Sequence, residues 1–368
     1  MFDDAEFMAH ALALGRRGLG RTWPNPAVGA VIVRHDAASQ IIVGRGVTEP
    51  GGRPHAETQA LARAGAAAAG ATLYVTLEPC SHHGKTPPCT DAIIRAGIRR
   101  VVSALQDPNP EVAGSGHAAL RAAGIALDVG VGAEDARRAH AGHIRRVRDG
   151  RPHATLKLAI SADGKVARAG RRPAAISGEA GRARVHLMRA MSDAILVGIG
   201  TALADDPLLT CRLPGMAARS PVRVVLDREL RLPPASRLAQ TAREVPLWLI
   251  AGPNAPAERA QALHALGADV LKVEASNGRL DLAGALTVLA GRGITRLMVE
   301  GGPTLAAALL ERDLVDEAVL LHSPTDIGLE GINALEGLPL TALTQSPKLK
   351  LIGTELAGLD RIEMFERT

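Results

Sequence analysis

The tightest constraint on this chain is a set of metal-ligand side chains within residues 53–91: Arg53-Pro-His55-Ala-Glu57, a strand-like run ending Leu77-Glu-Pro79-Cys80, and Pro87-Pro-Cys89. A fold that uses them must bring one strand end and two helix starts to a single point. Tyr74 to Leu77 reads as a strand, so Cys80 follows its C-terminal end, where ligands gather in α/β sheets. Pro87 and Pro88 set up a helix beginning at Cys89, since proline suits the first helical turn. His55 likewise opens a helix after Gly51-Gly-Arg-Pro54. One imidazole and two thiolates leave a fourth tetrahedral position for water, which separates a catalytic zinc from a structural one closed by four protein ligands.

Glu57 stands two residues after His55. That places it to take a proton from the metal-activated water and to hand one to a leaving amine. A His-x-Glu and two later cysteines, the first preceded by proline, match a zinc-dependent deaminase. The helix start is expected to favour the Cys89 thiolate. Buried apolar cysteines are the blander alternative, but they leave the joint spacing unexplained. His82 and His83 compete for the metal and are expected instead to be loop residues contacting substrate. Eight residues separate the cysteines, where the general signature has two. Such an insertion at the mouth of a site bears on substrate choice more than on zinc chemistry.

The chain has 368 residues, which suggests two domains. It is 46% hydrophobic and only 2% aromatic, so its cores must be built from Ala, Val, Leu and Ile. Residues up to 149 carry 17 basic and 14 acidic side chains, and the rest carry 26 and 24. That even, small excess gives no nucleic-acid footprint, and it suits a phosphorylated small-molecule substrate. Only Cys80, Cys89 and Cys211 occur, which implies no disulfide framework and a reducing compartment. The acidic start lacks a signal-peptide pattern, and no run of 18 apolar residues marks a membrane span. A cytoplasmic homo-oligomer with neither nucleic acid nor membrane as partner is expected.

Helix and strand alternate throughout, the pattern of α/β layers. Phe7, Met8, Ala11, Leu12 and Leu14 make a helical stripe; Val28–Val33 and Ile41–Val43 read as a hairpin. A helix over His55–Ala69, a strand over Ala71–Leu77, a helix over Cys89–Ala96 and a strand over Arg100–Leu105 follow. The charged, Gly- and Pro-bearing run 145–152 reads as a boundary between domains 1–149 and 150–368. Beyond it, strands are expected at 153–160, 194–199, 222–226, 246–250, 270–273, 296–300 and 315–321, with helices at 179–191, 257–266, 280–291 and 303–311.

The second half is less explicit. Gly198-Ile-Gly200 follows a strand, but the third glycine of a dinucleotide fingerprint is Leu203. Glu300-Gly-Gly-Pro-Thr304 lies between an apolar strand and a helix, where backbone N–H groups could approach a phosphate. A plain strand-to-helix turn fits it equally well.

Longer strings carry a resemblance: Pro24-Asn-Pro-x-Val-Gly29, His55-Ala-Glu57, Thr76 to Cys89, Gln106-Asp-Pro-Asn-Pro110, Leu156-Lys-x-Ala-x-Ser-x-Asp-Gly164, Ala204-Asp-Asp-Pro207 and Val299-Glu-Gly-Gly-Pro-Thr304. Together they resemble the bifunctional riboflavin-biosynthesis deaminase/reductase over nearly the whole chain. The resemblance implies a cytidine-deaminase-like α/β/α sandwich followed by a dihydrofolate-reductase-like α/β domain. The first would remove the 2-amino group of a diaminopyrimidinone bearing a ribosylamino 5′-phosphate, using zinc held by His55, Cys80 and Cys89, with Glu57 catalytic. The second would reduce the ribosyl group to ribityl with NADPH. Asn25 would contact substrate in the first domain. Ala159, Thr201, Asp205, Gly301 and Gly302 would border the dinucleotide. Lys157, Arg189, Leu209, Arg212 and Glu300 would contact the ribosyl phosphate side, where a planar arginine fork suits phosphate oxygens.

Two positions depart from the family pattern. Ala175 stands where the family has Trp, and Ser323-Pro-Thr-Asp-Ile-Gly328 replaces a Pro-Lys-Leu-Leu-Gly type segment. They motivate a second reading, a deaminase whose C-terminal half is a non-catalytic assembly module. A nucleic-acid deaminase is a third, poorly served by one Tyr, two Trp and three Phe.

Overall fold

A computed structural model describes residues 3–36, 39–82, 87–110 and 112–368. The chain divides into two compact units, Met1–Gly150 and Arg151–Thr368. Within the run 145–152 read as a boundary, residues 145–149 are the last turn of a helix capped by Gly150 (φ 65°). A left-handed glycine closes helices without the steric cost other residues meet.

The first unit runs α1 (Asp4–Arg16), β1 (Gly29–Asp36), β2 (Ser39–Val47), α2 (Ala56–Ala64), β3 (Thr72–Val75), α3 (Cys89–Arg95), β4 (Arg100–Ser103), α4 (Ser115–Ala122), β5 (Ala126–Val129), α5 (Ala133–Ala139) and α6 (Ala141–Asp149). Helix α1 begins where Asp3 accepts from the Glu6 N–H at 2.9 Å and Glu6 accepts from the Asp3 N–H at 2.8 Å, a reciprocal cap. The sheet order is β2-β1-β3-β4-β5, with β3, β4 and β5 parallel and β1 antiparallel to both neighbours.

Side chains alternate across these strands, as the two-residue strand period requires. Val31, Val33, Tyr74 and Val102 pack with Phe7, Met8, Leu12 and Ala136 on one face. Ile32, Leu73, Val75 and Val101 pack with Ala56, Ala60, Ile93 and Leu120 on the other. The result is the expected three-layer sandwich. Helix α2 lies directly on β2: a Cβ on Gly46 would stand 1.9 Å from the Ala56 carbonyl oxygen. That close approach sets the height of the helix start carrying His55 and Glu57.

The second unit contains β6 (His153–Ile160), β7 (Lys165–Ala167), α7 (Glu179–Ala190), β8 (Ala194–Gly198), α8 (Ile199–Asp205), β9 (Val222–Leu226), α9 (Arg237–Gln240), β10 (Leu247–Ala251), α10 (Ala257–Ala265) and β11 (Asp269–Lys272). A short pair, β12 (Ala275–Ser276) and β13 (Arg279–Leu280), leads into α11 (Leu282–Gly291), β14 (Arg296–Val299), α12 (Pro303–Glu311) and β15 (Glu317–His322). The chain finishes with β16 (Ile332–Asn333), α13 (Thr341–Thr344), β17 (Leu349–Ala357) and β18 (Asp360–Arg367). Nine strands form one sheet, ordered β11-β10-β9-β8-β14-β6-β15-β18-β17. Its strands from β11 to β15 are parallel, and the closing hairpin β17–β18 is antiparallel. The carboxyl ends of β6, β8 and β14 lie side by side and lead into the segments singled out for substrate and dinucleotide.

Candidate active sites

In the first unit the three proposed ligands converge. Nδ1 of His55 lies 3.6 Å from the Cys80 sulfur and 3.4 Å from the Cys89 sulfur, and the three ligand atoms all fall within 4.8 Å of one another. A tetrahedral zinc with its usual bond lengths requires a nitrogen-to-sulfur edge of roughly 3.5 Å. The donor set therefore fits a zinc ion in both chemistry and spacing. His55 is the N-cap of α2, Cys89 is the first residue of α3, and Cys80 follows β3.

The start of α3 acts on a different sulfur from the one expected. The Cys89 backbone N–H donates to the Cys80 sulfur at 3.3 Å, and the Thr90 N–H donates to the Cys80 carbonyl at 3.2 Å. A hydrogen bond from the Cys89 thiol, helped by His55 and the Cys89 N–H, holds the Cys80 thiol down to about 4. The same thiol–thiol bond, with burial, pushes the Cys89 thiol up. Its hydrogen bond to Cys80 raises the His55 imidazole. Glu57 is buried at 3% exposure, and desolvation raises its carboxyl above the ordinary range. His55, Cys80 and Cys89 all act on its carboxyl, so it stands beside the ligand cluster.

Asn25 is tied to the same corner. Its side-chain amide donates to the Gly52 carbonyl at 2.9 Å, and its backbone carbonyl accepts from the Thr22 hydroxyl at 3.0 Å. His82 is exposed, while His83 lies outside the described residues.

In the second unit Glu300, after β14, grips a basic cluster. The Arg189 guanidinium donates to both its oxygens at 2.6 and 2.9 Å, and Lys157 Nζ stands 3.9 Å away. Burial opposes ionisation of Glu300, but the Arg189 and Lys157 charges more than offset it, and its carboxyl lies below the usual range. Lys157, with only the longer contact, is shifted down by its burial. Arg189 also donates to the Thr210 carbonyl at 3.1 Å, which brings the 209–212 segment alongside. The Arg212 backbone N–H donates to His186 Nδ1 at 3.3 Å. Burial and the charges of Arg189 and Arg212 lower the His186 imidazole. Sequence reasoning missed His186; its only signal is the three-residue spacing to Arg189 along α7.

Leu209 belongs to this segment, but its side chain does not. It is buried at 4% exposure among Ile195, Val197 and Val225, with φ 55°. Its side chain is therefore a core residue, and its backbone is the part open to a ligand.

The dinucleotide candidates also gather. Gly302 is the N-cap of α12, with Pro303 at its first position, and a Cβ added at Gly302 would stand 3.2 Å from the Thr201 hydroxyl. Thr201 and Asp205 lie on α8, with Asp205 exposed. Ala159 is two residues along β6 from Lys157 and pairs with Leu321 of β15. Glycines at a helix start with no side-chain cap leave N–H groups able to meet a phosphate, so the residues fit a dinucleotide. The departing segment 323–328 is anchored: the Ile327 and Gly328 N–H groups donate to Asp163 at 3.1 and 2.7 Å.

Comparison with known proteins decides the family. Residues 152–360 match the RibD C-terminal domain, and residues 1–105 match the cytidine and deoxycytidylate deaminase zinc-binding region. The chain is 41% identical to the riboflavin biosynthesis protein RibD of Escherichia coli K12, covering 97% of each. It is 40% identical to the RibD of Aquifex aeolicus, covering 99% of this chain and 98% of that one. The chain belongs to the RibD family.

Solved structures agree over the whole length. Acinetobacter baumannii RibD, form 1, superposes with a TM-score of 0.87 at 35% identity, covering 99% of both chains. The Thermotoga maritima diaminohydroxyphosphoribosylaminopyrimidine deaminase/5-amino-6-(5-phosphoribosylamino)uracil reductase superposes with a TM-score of 0.84 at 34% identity, again covering 99% of both. The chain is thus a bifunctional enzyme with a zinc-binding deaminase domain and an NADPH-using reductase domain. The reading of the C-terminal half as a non-catalytic module is not favoured, because the RibD reductase family covers that half.

Proposed function

We propose that the first unit deaminates a diaminopyrimidinone carrying a ribosylamino 5′-phosphate, and that the second reduces the ribosyl group of the product to ribityl. The observation that carries this reading is the convergence of His55, Cys80 and Cys89 beside buried Glu57. Zinc, when bound, supplies a Lewis acid that activates water for attack on the amidine carbon. His55 is carried at the start of α2, and Cys80 is steadied by the two N–H donors of α3. Glu57, buried and raised, can accept a proton from the water and return it to the departing amine. Asn25, oriented by Gly52, contacts the ring.

In the second unit NADPH supplies the hydride when bound. Thr201, Asp205, Gly301, Gly302 and Ala159 border it. Lys157, Arg189, Arg212 and Glu300 orient the sugar phosphate, with the Leu209 backbone completing the wall; alignment is the main task for hydride transfer. We place the enzyme in the cytoplasm as a homo-oligomer acting on a small molecule, with neither nucleic acid nor membrane as partner. The even charge and scarce aromatics support that view. No helix among the described residues is long and apolar enough to cross a membrane.

An ordered assay tests the scheme. Offered the diaminopyrimidine, the protein should release ammonia before oxidising NADPH; offered the deaminated intermediate, it should oxidise NADPH without ammonia release. Ammonia release with no NADPH oxidation from the intermediate would return the second unit to a non-catalytic role.

A further inference from the structure

Glu78 precedes the Pro79-Cys80 pair, and its side chain is fully buried. Its Oε2 accepts from the Asp107 and Gly114 N–H groups, each at 3.0 Å. Its Oε1 accepts from the Gly116 N–H at 2.9 Å and the His117 N–H at 3.1 Å. The His117 ring stands 3.8 Å from Oε2. Two of these donors belong to the first turn of α4, whose own N-cap, Gly114, has no side chain to satisfy them. A distant carboxylate thus caps the helix.

The neighbouring residues are fastened to the same place. A Cβ on Gly116 would stand 2.0 Å from the Pro79 carbonyl oxygen, so strand end and helix start touch through backbone. The Ser81 and Ser115 hydroxyls lie 2.8 Å apart. Residues 78, 79 and 81, which surround Cys80, are therefore all held by one helix start.

We infer that Glu78 is the positioning residue of the deaminase centre: by fastening Pro79-Cys80 to α4 and to the 107–114 loop, it sets where the Cys80 sulfur stands relative to His55 and Cys89. This rests on the zinc reading above. A buried carboxylate with four N–H donors has little freedom, and charge-assisted bonds of this kind are the stronger ones. Groups that orient metal ligands in this way commonly govern affinity and rate.

The test uses the full-length, metal-loaded protein, with NADPH oxidation by the second unit as an internal check on folding. Glu78→Gln turns one acceptor into a donor that faces two backbone N–H groups. It should weaken zinc binding and lower kcat for ammonia release, each by about 10- to 100-fold, with KM little changed. The visible spectrum of the cobalt-substituted protein should shift, and NADPH oxidation with the deaminated intermediate as substrate should be unaltered. Wild-type behaviour, or a KM effect with unchanged kcat and cobalt spectrum, overturns the inference. If Glu78→Gln loses NADPH oxidation as well, Gly116→Ala decides, because its methyl meets Pro79 while the carboxylate remains. A shifted cobalt spectrum then supports the inference, and an unshifted one overturns it. Failure of the wild-type protein to take up zinc or cobalt overturns both this inference and the zinc reading, which separates that failure from one confined to Glu78.

Discussion

Glu57 shows how a single burial event assigns a role. Removed from water, its carboxyl is raised above the ordinary range beside the thiol pair, a shift toward the proton-holding form. Glu57→Gln should retain zinc yet lose ammonia release by about 10²- to 10⁴-fold. Cys89→Ser should lose both, as metal content and ammonia assays will show; near-normal turnover in Glu57→Gln would remove the proton-transfer role. Glu300 poses the complementary case, since it is the buried partner of two cations. Glu300→Gln should destabilise the protein by on the order of 3 kcal/mol and depress NADPH oxidation while leaving ammonia release intact. Thermal unfolding with paired assays checks this. The zinc ligands were legible in sequence because the chain has only three cysteines, and two stand at element boundaries beside prolines. Glu78 was legible only as part of a motif. Its partners are backbone N–H groups 29 to 39 residues away, which no side-chain pattern records. That Leu209 turns its side chain inward from a left-handed backbone was not legible, because sequence does not announce φ.

Elements were readable wherever one face was apolar. Helix α7 and the buried strands β6, β8, β9 and β14 stand near their expected bounds, and α1 carries its expected stripe, because burial imposes the period. Helix α2 ends at Ala64, where Gly65 turns to φ 54°, instead of at Ala69. The closing hairpin β17–β18 escaped notice because Leu351, Ile352 and Leu356 are exposed, which blurs the alternation of an edge strand. Helices α4, α5 and α6 have seven to nine residues each, too few turns for a period to stand out in the sequence. One polar tie fastens α1 to the sheet. Asp4 accepts from the Arg100 fork at 2.9 and 2.6 Å and from the Tyr74 hydroxyl at 2.7 Å. The Arg100 hydrogen bonds, followed by Tyr74, hold the Asp4 carboxyl below its ordinary value of 3.8. A lowered folded value means stability that is present above pH 3.8 and lost as pH falls through the folded value. Asp4→Asn should therefore unfold more easily at neutral pH, by on the order of 1 kcal/mol, and lose less stability than the parent between about pH 4 and 2. Unfolding followed across that pH range checks it; parallel pH curves for parent and variant would contradict the role.

Across the whole molecule, each unit builds its site at the carboxyl edge of its own sheet, where strand ends and helix starts meet. Membership of the RibD family accounts for two chemistries on one chain, and we propose from the geometry which residues serve each. The first half could be argued from residues alone because metal ligation demands rare side chains in fixed positions. The second could not, because phosphate and sugar are met by backbone N–H groups and ordinary cations that occur everywhere. The central claim is a three-ligand zinc that keeps one position for water. X-ray absorption at the zinc edge of the purified protein tests it most directly. The account predicts two sulfurs near roughly 2.3 Å and two light atoms near roughly 2.0 Å, one imidazole and one oxygen. A shell of four sulfurs, or one with no sulfur at all, would contradict it.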